Sequence, residues 1–178
     1  MTHSQHVNLI QKAIPQQGGR WADFGSGDGA FTLALRDLAG PDVEIYSIDQ
    51  DNTRLAAQEM EFTKHFPDTK ITFLHEDFTK PLHLLPLEGI IMANSLHYVK
   101  QQTNFLPNLQ TYLKPGGKLV LVEYNIDTPN PWVPYPLSFK TFEHLTKTSN
   151  FIQIKLLKKI PSSYWEEMYC AEAIKSLS

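Results

Sequence analysis

The sequence predicts an α/β protein: a doubly wound, mostly parallel sheet with helices on both faces and an antiparallel hairpin at its C-terminal end. Three observations predict it. Short apolar runs alternate with amphipathic helix patterns over the first two thirds of the chain, which requires parallel strands joined by helical crossovers. A glycine-rich turn, Gly25-Ser26-Gly27-Asp28-Gly29-Ala30, stands where the first apolar run gives way to the first strong helix pattern. The last two strand-like runs are separated only by Pro161-Ser162-Ser163-Tyr164, which is too short for a parallel crossover and suits a hairpin.

The elements follow in order. Val7, Ile10 and Ile14 space a short helix over residues 3–13, and Pro15-Gln16-Gln17-Gly18-Gly19 reads as a turn. Strand one covers 20–24. Phe31, Ala34, Leu35 and Leu38 then recur at helical spacing, placing a helix over 29–38 that stops at Gly40-Pro41. A strand over 43–49, a helix over 52–66 stopped by Pro67, and a strand over 71–75 come next. Pro81 and Pro86 mark a loop into strand four, 89–93. A helix over 101–113 precedes the Lys114-Pro115-Gly116-Gly117 turn. Strand five, 118–124, is almost wholly apolar, as expected of a strand covered on both faces. A helix over 138–148 and strand-like runs at 151–160 and 165–174 complete the chain.

Composition bounds the function. The chain has 178 residues, 42% of them hydrophobic, which predicts one domain, 1–178, with a sizeable core. No apolar run reaches the roughly 18 residues of a membrane span, and the first residues lack the pattern of a signal peptide. Cys170 is the only cysteine, so no internal disulfide forms and a cytoplasmic location is expected. The net charge of −3 gives no broad basic footprint for nucleic acid. Lys140, Lys147, Lys155, Lys158 and Lys159 make the C-terminal third locally basic, either as solvated faces or as a patch for an anionic substrate or partner. No cysteine–histidine cluster suggests a metal site.

The glycine turn is a cradle for a nucleotide-like cofactor. Glycine reaches φ > 0 freely and lets backbone approach a ligand, and the following helix N-terminus offers unpaired N–H groups. By itself the turn also satisfies the dinucleotide fingerprint, and Asp49, about twenty residues on, is placed for ribose hydroxyls in either case. Asp23 and Asp28 would repel a pyrophosphate but suit the ammonium and sulfonium of S-adenosylmethionine. Glu76-Asp77 after the third strand offers an acceptor for an adenine amino group, beside Phe78.

These segments resemble a class I S-adenosylmethionine-dependent methyltransferase over nearly the full chain. Asp23-Phe24-Gly25-Ser26-Gly27-Asp28-Gly29 matches the D-x-G-x-G-x-G motif, Asp49 the acid ending strand two, and Asp77-Phe78 the adenine-contacting pair. The stretch from Gly89 to Val99 resembles the fourth-strand motif, and Leu113-Lys114-Pro115-Gly116-Gly117 the turn before strand five. The resemblance implies a Rossmann-like sheet of seven strands, the last inserted in reverse. It also implies S-adenosylmethionine as cofactor and S-adenosylhomocysteine as product. Residues 1–19 would then be an N-terminal helix and turn, 20–125 a cofactor-binding half, and 126–178 a substrate-side loop, helix and hairpin.

Roles follow residue by residue. Asp23, Phe24, Gly25, Ser26, Gly27, Gly29, Asp49, Gln50, Asp77, Phe78 and Asn94 are the expected cofactor residues, with Asp23 on the amino group and Asn94 at the methionine end. Asp49 has a helix N-cap, and Asp77 a plain turn, as its alternative reading. His97, Tyr98 and Glu123 are the catalytic candidates. His97 is the base, with packing at the start of the next helix as the alternative, and Tyr98 has a core position as its alternative. Glu123 and Tyr124 are expected to face the crevice. Trp132 and Tyr135, in a segment stiffened by four prolines, are expected to wall the acceptor or else to cover the core. His3 and His6 either fold over the site or belong to a frayed terminus.

The absence of an N/D-P-P-Y/F motif at Asn94-Ser95-Leu96-His97, and of a proline-preceded cysteine, turns the expectation from nucleic acid to a small-molecule acceptor methylated at O, N, S or C. A monomer or homodimer is expected. Two competing readings are a non-catalytic S-adenosylmethionine-binding subunit and an NAD(P)-dependent oxidoreductase.

Overall fold

A computed structural model describes residues 1–14 and 17–177; Pro15 and Gln16, part of the expected first turn, lie outside the described residues. The elements are α1 (His3–Ile10), β1 (Arg20–Phe24), α2 (Ala30–Ala39), β2 (Glu44–Asp49), α3 (Asn52–His65), β3 (Lys70–His75), β4 (Leu87–Ala93), a 3-10 turn (Leu96–Tyr98), α4 (Gln102–Tyr112), β5 (Leu113–Tyr124), α5 (Phe139–Thr148), β6 (Phe151–Pro161) and β7 (Glu167–Lys175). Among the described residues they form one seven-stranded sheet in the order β3-β2-β1-β4-β5-β7-β6. β3 through β5 pair in parallel, while β7 is antiparallel to both β5 and β6. The expected mostly parallel sheet with a reversed last strand is therefore present.

Strand alternation divides the core between the two sheet faces. Phe24, Ile90, Met92, Leu119 and Leu121 project to one side, against Leu106 and Leu109 of α4 and Phe142 of α5. Trp21, Ile45, Ile91, Val120 and Val122 project to the other, against Leu9 and Ile10 of α1 and Leu35 of α2. Each such side chain contributes roughly 1.5–3 kcal/mol on burial. Gly89 has no Cβ because Trp21 packs there: an added Cβ would stand 2.2 Å from its ring.

Most boundaries shift by one or two residues, and two differ from expectation by more. The first helix ends at Ile10 rather than residue 13, because the chain tightens into a turn in which the Ala13 N–H donates to the Ile10 carbonyl. β5 starts at Leu113: Leu87 pairs with Leu113 and Gly89 with Lys118, so the Lys114–Gly117 turn is an excursion within the strand. The N-terminus is not frayed. Thr2 and Gln5 close a capping box on α1, and His3 bonds Asp37 of α2 at 2.7 Å.

Among the described residues, no helix is long and apolar enough to cross a membrane.

Candidate active site

The carboxyl ends of β1, β2, β4 and β5 gather the site, where an open α/β sheet binds its ligands. After β1 the chain turns through Gly25, whose φ is +80°. The Gly25 and Ser26 N–H groups both donate to the Ile48 carbonyl of β2, which holds the loop against the sheet. A Cβ at Gly25 would stand 2.5 Å from that of Ser95, and one at Gly29 would stand 2.6 Å from the Gln58 side chain. Both positions therefore require glycine for space as well as for backbone conformation.

The cavity over this loop measures about 520 Å³ and is lined by Gly25, Ser26, Gly27, Asp49, Gln50, Phe78 and Asn94 among the expected residues. Asp49 accepts from the Gly27 N–H at 2.7 Å through one oxygen and from the Asp51 N–H at 2.8 Å through the other. A carboxylate has about four acceptor positions, so both oxygens can still take hydroxyl donors. Asp49 is not the N-cap of α3; Asp51 is, accepting from the Thr53 and Arg54 N–H groups. Gly29 lies beneath the floor as the N-cap of α2.

Three expected cofactor contacts are placed otherwise. Asp23 is 1% exposed and turned away from the cavity, accepting from the Thr32 hydroxyl at 2.7 Å beneath the α2 N-terminus. Burial pushes its carboxyl up to about 7, with the Thr32 hydrogen bonds opposing and the Asp49 charge adding to the rise. Phe24 is wholly buried against Phe78 and Tyr112, leaving only its carbonyl at the loop, where Ser95 donates to it. Asp77 holds its own turn, accepting from the Thr79 N–H and hydroxyl, and does not line the cavity. The acidity of the loop is also offset. Arg54 lies 3.7 Å from Asp28 and 3.5 Å from Asp51.

Beside this cavity, a second space of about 600 Å³ is walled by aromatic side chains and shares Asn94 and Tyr98 with it. His97 forms one wall. It stands on the 3-10 turn after β4, and Ala93 pairs with Val122, so the next residue of β5, Glu123, comes level with it. The His97 Nδ1 lies 2.6 Å from Glu123 Oε2, and the His97 backbone N–H donates to Oε1 at 3.2 Å. Both side chains are buried. Glu123 therefore does not face the crevice; it holds His97, because strand alternation turns it inward and turns Tyr124 outward.

Tyr124 and Trp132 line the aromatic space, and Tyr98 is 60% exposed at its mouth rather than in the core. Tyr135 does not line it. Its N–H donates to the His97 carbonyl and its own carbonyl accepts from Gln102, so its backbone pins the 3-10 turn while Val133 takes the wall position.

Asn94 is where the spaces meet. Its φ is +53°, and its Oδ1 is the buried side-chain polar atom left without a hydrogen-bond partner among the described residues. Sequence reasoning missed Tyr164 and Trp165, which the β6–β7 turn brings to the aromatic wall, with Trp165 edge-on to Tyr124 at 6.4 Å. Two adjacent large aromatics in a tight turn were the available signal. It also missed Phe31, whose ring lies tilted against that of His6, 4.8 Å between centroids, over the cofactor cavity, and Arg54. A cation in the first turn of a helix opposes the macrodipole, and that was its signal. No cluster of metal-ligating side chains occurs among the described residues.

Comparison with known proteins agrees with this architecture. A family model described as a methyltransferase domain matches residues 5–161. Fusarin C synthetase of Gibberella fujikuroi is 28% identical over 68% of this chain, which spans only 3% of that much longer protein. A probable cobalt-precorrin-6B C(15)-methyltransferase (decarboxylating) of Thermoplasma volcanium is 24% identical over 84% of this chain and 71% of its own length. The solved structure of an S-adenosylmethionine-dependent O-methyltransferase from Thermotoga maritima superposes with a TM-score of 0.69 at 16% identity, covering 99% of this chain and 66% of that one. With a single family model spanning most of its length, the chain belongs to the methyltransferase-domain family.

Proposed function

We propose that the protein transfers a methyl group from S-adenosylmethionine to a small acceptor whose nucleophilic atom carries a proton. The observation that carries this reading is the buried His97–Glu123 pair, set in the wall of an aromatic space that meets the glycine-floored cavity at Asn94. The cavity fits the cofactor. Its floor admits no Cβ at Gly25, its acids Asp28, Asp49 and Asp51 outnumber Arg54, and Asn94 presents a free acceptor oxygen. Asp49 would take the ribose hydroxyls, Gln50 and Phe78 would flank the adenosine, and Asn94 would face the methionine end. Asp23 would act through the loop, by anchoring the α2 N-terminus beneath it.

When bound, the cofactor supplies a methyl group on a sulfonium that is already a good leaving group. The chain's own part is positioning and proton removal. Tyr98, Tyr124, Trp132 and Trp165 would hold the acceptor by their faces and edges, and alignment of this kind can contribute roughly 7–11 kcal/mol. Glu123 accepts the Nδ1–H of His97, which leaves Nε2 as the acceptor for the nucleophile's proton and stabilises the imidazolium that forms. The proposal includes residues 1–178 acting as one unit in the cytoplasm, as a monomer or homodimer, with no nucleic-acid partner. The single family match supports the one unit, and the lone, buried thiol of Cys170 the compartment.

Calorimetric titration with S-adenosylmethionine, S-adenosylhomocysteine and NADH tests the reading. Wild type is expected to bind the first two, and Asp49→Ala to lose at least about ten-fold in affinity, as for a charge-assisted hydrogen bond. Binding of NADH alone would overturn the reading in favour of a redox function.

A further inference from the structure

A third space opens on Asn94. Between α1 and the β6–β7 hairpin lies a chamber of about 640 Å³ that shares Asn94, Tyr124 and Tyr164 with the aromatic one. Charge distinguishes it. The cofactor cavity is lined by three aspartates, whereas the described lining of the α1–hairpin chamber includes Lys158 and no aspartate or glutamate; His6 stands between the two and lines both. The chain carries 19 acidic residues against 16 lysines and arginines, so this absence is an arrangement and not a matter of composition.

Of the lysines of the basic C-terminal third, Lys158 is the one that lines this chamber among the described residues. Lys147 is paired with Glu143 at 2.9 Å and Lys159 with Glu167 at 2.8 Å. Lys158 has no carboxylate within ion-pair distance among the described residues. Its Nζ donates to the backbone carbonyl and the side-chain oxygen of Asn8, both neutral groups. An ammonium has three donors, so one remains, along with the whole positive charge. His6 stands in the same wall, held toward its neutral form by burial first and by the nearby positive charges second, and offers a ring N–H.

We propose that the acceptor is an aromatic acid, with its ring and protonated nucleophile beside His97 and its anionic group, carboxylate or phosphate, on Lys158 in the α1–hairpin chamber. The two chambers meet at Tyr124 and Tyr164, so one molecule can occupy both, with its negative end in the chamber whose described lining has no carboxylate. This assignment rests on the methyl-transfer reading and adds a substrate class to it.

The test is calorimetry on the full chain saturated with S-adenosylhomocysteine. The probes are hydroxylated aromatic carboxylates and aryl phosphates, each paired with its neutral methyl ester or free phenol. Wild type is expected to prefer at least one anionic member over its neutral partner by roughly ten-fold or more, as for a hydrogen bond to a charged group. Whether carboxylates or phosphates show the preference identifies the anion. Lys158→Gln is expected to abolish the preference with S-adenosylhomocysteine affinity unchanged, and Lys158→Arg to restore it. Asn8→Ala, which removes the tether to α1 and keeps the charge, is expected to retain it. Equal affinity for acids and neutral partners in wild type, or a preference that survives in Lys158→Gln, overturns the proposal. So does a Lys158→Gln variant that loses cofactor-product affinity in parallel. Failure of wild type to bind S-adenosylhomocysteine at all sinks the methyl-transfer reading, and this assignment with it.

Discussion

The two halves of the sheet build their parts of the site by different means. Around β1, β2 and α2 the cavity is made of backbone. Glycines at positive φ, N–H groups donated to Ile48 and Asp49, and a buried Asp23 under the α2 N-terminus all lie within 27 residues of sequence, from Asp23 to Asp49. Around β5 and β7 the site is made of side chains that come from far apart. His97 follows β4, Glu123 ends β5, Trp132 sits in the proline-rich segment, and Trp165 sits in the last hairpin. The cofactor half is thus built locally, while the acceptor half depends on long-range packing. Damage to the two halves should therefore be separable.

Replacing His97 tests that separation most strongly. His97→Gln is expected to lower kcat by roughly 10²–10⁴-fold for an acceptor whose nucleophile must lose a proton. Calorimetry should find S-adenosylhomocysteine affinity preserved. A parallel fall in both would show that the halves are coupled through the 3-10 turn.

The next largest effect lies under the cofactor loop and is read in stability. The folded Asp23 carboxyl titrates at about 7, above the ordinary value of an unfolded aspartate, chiefly because it is buried. The native state thus holds this proton more tightly than the unfolded chain does. Its contribution to stability is full below pH about 4 and is lost as pH rises to about 7. Asp23→Asn keeps an acceptor for Thr32 and removes the titration. Urea denaturation should find the variant gaining on wild type across that window, by up to roughly 4 kcal/mol, and level above it. A constant difference between pH 4 and 7 would assign the effect to packing.

The smallest effect is expected at the rim. Trp132 is 71% exposed, so Trp132→Ala should change stability by no more than about 0.5 kcal/mol. It should raise the acceptor KM several-fold and leave kcat and cofactor affinity nearly unchanged. A matching rise in cofactor dissociation constant would place the tryptophan in the cofactor half instead.

Legibility in the sequence follows the same division. The loop Gly25–Gly29, the carboxylate Asp49 and the strand-end Asn94 were readable because their signals are local: glycine spacing, a strand ending in an acid, a polar residue closing an apolar run. His97 and Glu123 were each singled out, yet their pairing was not, since it depends on the register of β4 against β5. Asp23 shows the limit from the other side. Its position in the motif is evident, but whether it faces the cavity or the α2 N-terminus is decided by where Thr32 packs.

The sequence by itself determined the fold class, the strand succession and the glycine cradle, because hydrophobic period and turn chemistry act over a few residues. The tertiary structure alone decided which side chains share a space. Glu123 is turned onto His97, Tyr135 is replaced in the wall by Val133, and Tyr164, Trp165, His6 and Lys158 are carried in from the two ends of the chain. The physical reason is that a side chain's neighbours across a sheet depend on register and crossover geometry, which join residues distant in sequence and leave no local trace.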